Sequence, residues 1–135
     1  MALIHDRPDG YFFIRACDAG SVTIIDRSLH SSCLVLPDRV IEDWPVSDVD
    51  AFDDAVAKTL AALKPELILL GTGITLRFPS ASSRSVLLRQ HIGIEVMDNK
   101  AASRTYNLLA EEGRYPLLAL IFPRAEATMT TPDAR

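Results

Sequence analysis

Hydrophobic and polar residues change period along the chain, and the change separates a strand-rich beginning from a helix–strand remainder. Tyr11 to Ala16 reads as a strand, Asp18-Ala19-Gly20-Ser21 as a turn, and Val22 to Ile25 as the returning arm of a hairpin. Asp26-Arg27-Ser28 marks a second turn, and Leu29 to Leu36 predicts a longer strand that Pro37-Asp38 breaks. Val40 and Ile41 begin a short strand that reaches Trp44 and stops at Pro45. Met1 to Gly10 reads as a loose polar start, with Pro8, Asp9 and Gly10 marking a turn.

Beyond Pro45 the period lengthens. Ser47 is placed to open a helix, with Asp50 as an acidic form of the capping box. Val49, Phe52, Val56, Leu60 and Leu63 form one apolar stripe, and Lys64-Pro65 ends it. Glu66 to Leu70 is apolar enough for a strand buried on both faces, followed by the tight loop Gly71-Thr72-Gly73. Thr75, Leu76 and Phe78 read as a brief extension. Pro79-Ser80 starts a shorter helix to about His91, with Val86 and Leu87 inward and Gly93 as its cap.

The most consistent local signals lie between Ile94 and Pro123. Ile94, Val96 and Met97 suit a pleated strand, and Asp98 suits a helix N-cap. Ala101, Ala102, Thr105, Tyr106, Leu108 and Leu109 share one helical arc; Lys100, Ser103, Arg104, Asn107 and Glu111 share the opposite one. Gly113 supplies the left-handed stop, Pro116 prevents continuation, and Leu117 to Phe122 return as a strand. The pattern predicts an α+β single domain over residues 1–123, with an antiparallel β-rich N-terminal part. Residues 124–135 lack a pattern and are expected to fray.

Composition narrows the function. The 135 residues carry a net charge of −4 with scattered basic residues, which argues against nucleic-acid binding. No apolar run approaches a membrane span, and MALIHDRPDG shows no signal-peptide pattern, so a cytoplasmic protein is expected. Cys17 and Cys33 read as small buried thiols, both reduced. Neither they nor His5, His30 and His91 show a metal spacing, and no cofactor motif is complete. Gly71-Thr72-Gly73 lies where phosphate loops lie, yet lacks the rest of such a motif and reads mainly as a strand-end turn with positive φ. Ser82, Ser83 and Ser85 lack a hydrolase elbow. No set joins a nucleophile, a base and an oxyanion site, so no catalytic residue is assigned.

The stretch Met97–Arg114, MD-x-x-A-A-x-R-T-Y-N-x-L-x-x-E-G-R, resembles the signature of an uncharacterised domain family. That family includes the mitochondrial respiratory complex I assembly factor 3 proteins and the adipogenesis-associated domain proteins. Gly71-Thr72-Gly73 and Pro79 also match its pattern. The chain departs at Asn99, where the family usually has Thr, and at Ser103, where many members have Cys. The second departure argues against shared thiol chemistry there. The resemblance implies a layered β/β/α fold with helices packed on one face of a sheet. It also implies a non-enzymatic protein-binding module that assembles or regulates a larger complex, with an unidentified protein partner that could belong to a membrane complex. The partner is expected on the outer side of the Asn99–Glu112 helix, at Arg104, Asn107, Arg114 and Tyr115. The alternative is a small-molecule binder or enzyme using a cleft near Thr72, Gly73, Asp98 and Asn99.

Overall fold

The computed structural model describes residues 2, 3 and 10–123. The tail expected to fray and most of the loose start lie outside the described residues. Nine strands among these residues form two sheets. In chain order they are β1 (Ala2–Leu3), β2 (Ile14–Cys17), β3 (Val22–Ile24), β4 (Arg27–Leu29), β5 (Cys33–Leu36) and β6 (Arg39–Ile41), then β7 (Leu67–Gly71), β8 (Gly93–Met97) and β9 (Pro116–Leu120). The helices are α1 (Asp54–Ala61), α2 (Ala81–Arg89) and α3 (Asn99–Glu111), with a single 3-10 turn at Val49–Ala51.

The larger sheet has the order β1-β6-β5-β9-β7-β8, parallel from β9 through β7 to β8 and antiparallel elsewhere. Its central strands are apolar on both faces because both faces are covered. Ile68 and Leu70 of β7 and Leu117 and Ala119 of β9 join one core, with Val49, Phe52, Leu60, Val86 and Leu87. Leu69, Leu118 and Leu120 point the other way, to Ala102, Tyr106 and Ala110 of α3 and to Ile14, Val22, Ile24 and Leu29 of the small sheet β2-β3-β4. This is the expected β/β/α layering. The helices all pack on the large sheet but divide between its faces, rather than sharing one. The reason is topological. The chain steps outward from β7 to β8 through α2, then back past β7 to β9 through α3. Two right-handed crossovers in opposite directions require helices on opposite faces.

Several local expectations are corrected. Residues 29–36 are two strands in different sheets, because Ser32 leaves the ladder: its Oγ donates to the Val46 carbonyl at 2.6 Å and accepts from the Phe122 N–H at 2.9 Å. The helix expected from Ser47 is a 3-10 turn capped by Asp48, then a break at Phe52, then α1 capped by Asp53. Ile74–Phe78 is an exposed loop, not a strand. His91, not Gly93, takes the left-handed residue after α2, at φ 61°. Ala2–Leu3 also forms a strand within the expected loose start, paired with β6.

Both cysteines are free thiols, Cys33 buried and Cys17 half-buried. Burial pushes the Cys33 thiol from 9.0 up to about 12. The folded protein therefore holds this proton after the unfolded chain has lost it. Stability should fall as pH rises above about 9, by up to about 1.4 kcal/mol per pH unit from this group. Urea unfolding across that range should show a shallower fall in Cys33→Ala than in the wild type. Equal slopes would refute the assignment.

Candidate functional site

The connections after β7 and β8 leave the sheet toward opposite faces, to α2 and α3. Their carboxyl ends are neighbours, so a crevice opens where the two connections part, the position at which open parallel sheets bind ligands. Here it is a space of about 410 Å³ bordered by Asp18, Gly73, Ile74, Asn99, Lys100 and Arg104, with Asp98 and Ala19 completing the rim.

Its floor is built from the residues that the sequence singled out. Gly73 adopts φ 98°, the positive value expected of the turn. Its N–H donates to Asn99 Oδ1 at 3.0 Å, and its carbonyl accepts from the Asn99 N–H at 2.8 Å. Asn99 Nδ2 donates to the Ile121 carbonyl at 3.0 Å. Asn99 is thus buried and engaged on both sides of its amide, tying β7, α3 and the end of β9 together. Gly71 makes this approach feasible, since a Cβ there would run into the Asn99 side-chain oxygen and lie 2.8 Å from a Leu120 methyl. The Thr72 hydroxyl donates to the Thr75 carbonyl at 2.7 Å and accepts from the Arg77 N–H at 3.2 Å, shaping the following loop. Asp98 caps α3 as expected, accepting from the Ala101 N–H at 2.8 Å.

Below the crevice, between α3 and β2, lies a smaller slot of about 170 Å³ that shares Lys100 and Arg104 with it. Asn107 lines the slot, but its amide forms a closed pair with β2: Oδ1 accepts from the Ile14 N–H and Nδ2 donates to the Ile14 carbonyl, each at 2.8 Å. The polar arc of α3 therefore does not all point outward. Asn107 holds the small sheet and Ser103 is buried, whereas Leu108, expected inward, is 57% exposed. Arg114 and Tyr115 lie at the far end of α3. Arg114 pairs with Glu66 at 3.0 Å, and the Tyr115 hydroxyl donates to Asp38 at 2.8 Å. Burial and that carboxylate raise the Tyr115 phenol above its ordinary range.

The structure thus brings Gly73, Asp98, Asn99 and Arg104 around one crevice, with Thr72 beneath and Asn107 next door, and leaves Arg114 and Tyr115 apart. The sequence had not pointed to Arg15, Cys17, Asp18, Lys100 and Ser103 as site residues. Arg15, Cys17 and Asp18 were marked only by a strand and its hairpin turn, Lys100 and Ser103 only by the polar arc of a helix, and their meeting depends on how β2 lies against α3. Among the described residues no cluster of His, Cys, Asp and Glu could hold a metal ion. No described helix is long and apolar enough to cross a membrane.

Residues 14–121 match the model of a family described as "Protein of unknown function (DUF498/DUF598)". The chain is 26% identical over 88% of its length to the mouse NADH dehydrogenase [ubiquinone] 1 alpha subcomplex assembly factor 3, and 32% identical over 69% to the zebrafish protein of that name. It spans only 65% and 54% of those two proteins. A Xanthomonas campestris protein solved by NMR superposes with a TM-score of 0.81 at 37% identity, covering 98% of this chain and 100% of that one. A Bordetella parapertussis crystal structure gives 0.78 at 27%, covering 87% and 100%. A Bordetella pertussis protein described as a Mth938-like domain shares the fold at 24% identity and a TM-score of 0.75, covering 93% and 96%.

Proposed function

The chain belongs to the DUF498/DUF598 family of proteins of unknown function, and from that premise we propose that it is a non-enzymatic protein-binding module that assists assembly of a larger complex from the cytoplasm. The relatives named as NADH dehydrogenase assembly factors supply the kind of complex. The observation that carries the reading is the loop after Gly73. Ile74, Leu76 and Phe78 are 75%, 54% and 59% exposed within five residues. The loop is nonetheless held in place: Arg77 bridges Asp48 and Asp50 at 2.9 and 3.2 Å, and the Arg84 guanidinium lies 5.9 Å over the Phe78 ring. Clustered apolar side chains on a held loop suit a protein partner, which would cover them. Arg104 stands across the crevice beside this surface and makes no ion pair among the described residues. Arg114 and Tyr115 form a separate patch that a partner could also use.

The test is co-purification from the source organism, with the membrane fraction included, using the tagged chain. Subunits of NADH dehydrogenase should be recovered by the wild type and lost with Ile74→Asp/Phe78→Asp. Loss with Arg114→Glu, while the loop variant still recovers them, would move the surface to the far end of α3. Recovery of no such subunit, together with normal assembly of the enzyme in a deletion strain, would overturn the proposal.

The crevice at the parting of the β7 and β8 connections favours a second reading, a small-molecule binder near Thr72, Asp98 and Asn99. A ligand that binds only the folded state raises the melting temperature, whereas a partner-only module shows no such response to metabolites.

A further inference from the structure

We propose that the slot between α3 and β2 is a binding site for the oxyanion head, carboxylate or phosphate, of a small molecule whose body occupies the neighbouring crevice. The inference gives a ligand class to the second reading above and rests on it, not on the assembly role.

Three observations converge. The first is charge. Arg15, Lys100 and Arg104 line the slot, and none makes an ion pair among the described residues. No carboxylate lines it. The two acids of the adjoining crevice are already engaged, Asp98 by the Ala101 N–H and Asp18 by the N–H groups of Gly20 and Ser21 and the Ser21 hydroxyl. Hydrogen bonds from Gly20 and Ser21 hold the Asp18 carboxyl below its ordinary range, and Lys100 adds to the effect. Hydrogen bonds leave both carboxylates charged, and both act on Cys17 in the slot, so three cations against two carboxylates leave a net excess of positive charge there.

The second observation is a buried polar group without a good partner. Ser103 is 4% exposed and lines the slot, and among the described residues its Oγ has no partner in good hydrogen-bond geometry, only a weak contact with the Cys17 thiol. Buried hydroxyls are normally satisfied, and each exception calls for a physical cause. The Cys17 sulfur is its neighbour, close enough for the hydroxyl to favour an ionised thiol. That influence loses to burial, which raises the Cys17 thiol, so at neutral pH the neighbour is an uncharged S–H, a weak acceptor. An oxyanion in the slot would give Ser103 the acceptor it lacks.

The third is local geometry. The β2–β3 register shifts between Ile14 and Ala16, placing an irregularity at Arg15. Such bulges re-aim a side chain and recur beside binding sites. Asn107 holds Ile14 on the other side, so the strand that carries Arg15 and Cys17 is fixed against α3. The slot accommodates a head group, and the larger crevice accommodates a short body against Ala19 and Ile74.

Inorganic phosphate and a short straight-chain carboxylate should be titrated separately into the full-length protein, followed by backbone amide NMR shifts. Saturable shifts at Arg15–Cys17 and Lys100–Arg104 are expected with at least one probe. Preference for the carboxylate would identify an organic acid, and preference for phosphate a phosphorylated ligand. Ser103→Ala should weaken binding about tenfold through loss of a hydrogen bond to a charged group. Arg104→Met should abolish it, with the remaining amide spectrum unchanged as proof of folding. Bound ligand should also slow alkylation of Cys17, which opens onto the slot. Absence of saturable shifts with both probes, shifts confined elsewhere, or equal binding by Arg104→Met would overturn the proposal. A chain that binds the anion yet recovers no NADH dehydrogenase subunit, with normal assembly of the enzyme in the deletion strain, would refute the assembly role alone.

Discussion

Replacing Tyr106 with alanine should destabilise the fold by about 3–5 kcal/mol, the range for emptying a large aromatic site in a core. Tyr106 is fully buried, the largest such side chain among the described residues. It stands at the middle of α3, inside the core that α3 shares with both sheets. Its hydroxyl donates to the Phe12 carbonyl at 2.7 Å, just before β2. Burial raises the phenol far above its ordinary range, so it stays protonated and keeps donating across accessible pH. Tyr106→Phe keeps nearly all of the volume and takes this one donor from the Phe12 carbonyl, so it should cost less, about 1–3 kcal/mol. Urea unfolding of the two variants separates packing from polar contact. Near-equal losses would mean that the bond to Phe12, not the filled volume, holds the layers together.

Tyr106 also marks what could be read from the chain. Its inward position follows from the helical period, and so do the Asp98 cap and the Gly113 stop, because each depends on neighbours within one or two turns. The continuous apolar runs of β7 and β9 announce strands buried on both faces. Where the reading failed, a distant partner decided. Ser103 is polar by type yet buried, because Cys17 and β2 cover it; Leu108 is apolar yet exposed, because nothing among the described residues reaches that side. Ser32 ends a strand by bonding to Val46 and Phe122, the latter ninety residues away, and no window of sequence contains that. The division of the helices between two faces follows from strand order, which periodicity does not carry.

The candidate site shows the same boundary. The chemistry-bearing motifs Gly71-Thr72-Gly73 and Asp98-Asn99 were visible, and their adjacency follows once β7 and β8 pair in parallel, with Gly71 opposite Met97. The other wall comes from the Asp18 turn and β2, more than eighty residues upstream of α3. Nothing local in Arg15 or Cys17 indicates that they face Lys100 and Ser103.

Asn99 offers the sharper test of how this site is held. Asn99→Ala should cost about 2–4 kcal/mol, because it strips a buried partner from the Ile121 carbonyl, worth about 1–3 kcal/mol, and a half-buried one from the Gly73 N–H, worth about 1 kcal/mol. Asn99→Asp should be worse. One carboxylate oxygen still accepts from Gly73, but the other would face the Ile121 carbonyl, setting a charge against an acceptor in a buried place. Asn99→Thr, the residue the family resemblance leads one to expect, should be the mildest of the three. A single hydroxyl can accept from one group and donate to another, though with a shorter reach. Asp98→Ala serves as the control next door; it removes only a half-buried cap and should cost about 1 kcal/mol. The expected order of stability is therefore wild type, Thr, Ala, Asp at position 99, measured by urea unfolding. If Asn99→Ala instead unfolds with the wild type, the amide is not a structural tie. Its two bonds would then be replaceable in the resting protein, and a ligand could claim Asn99 directly.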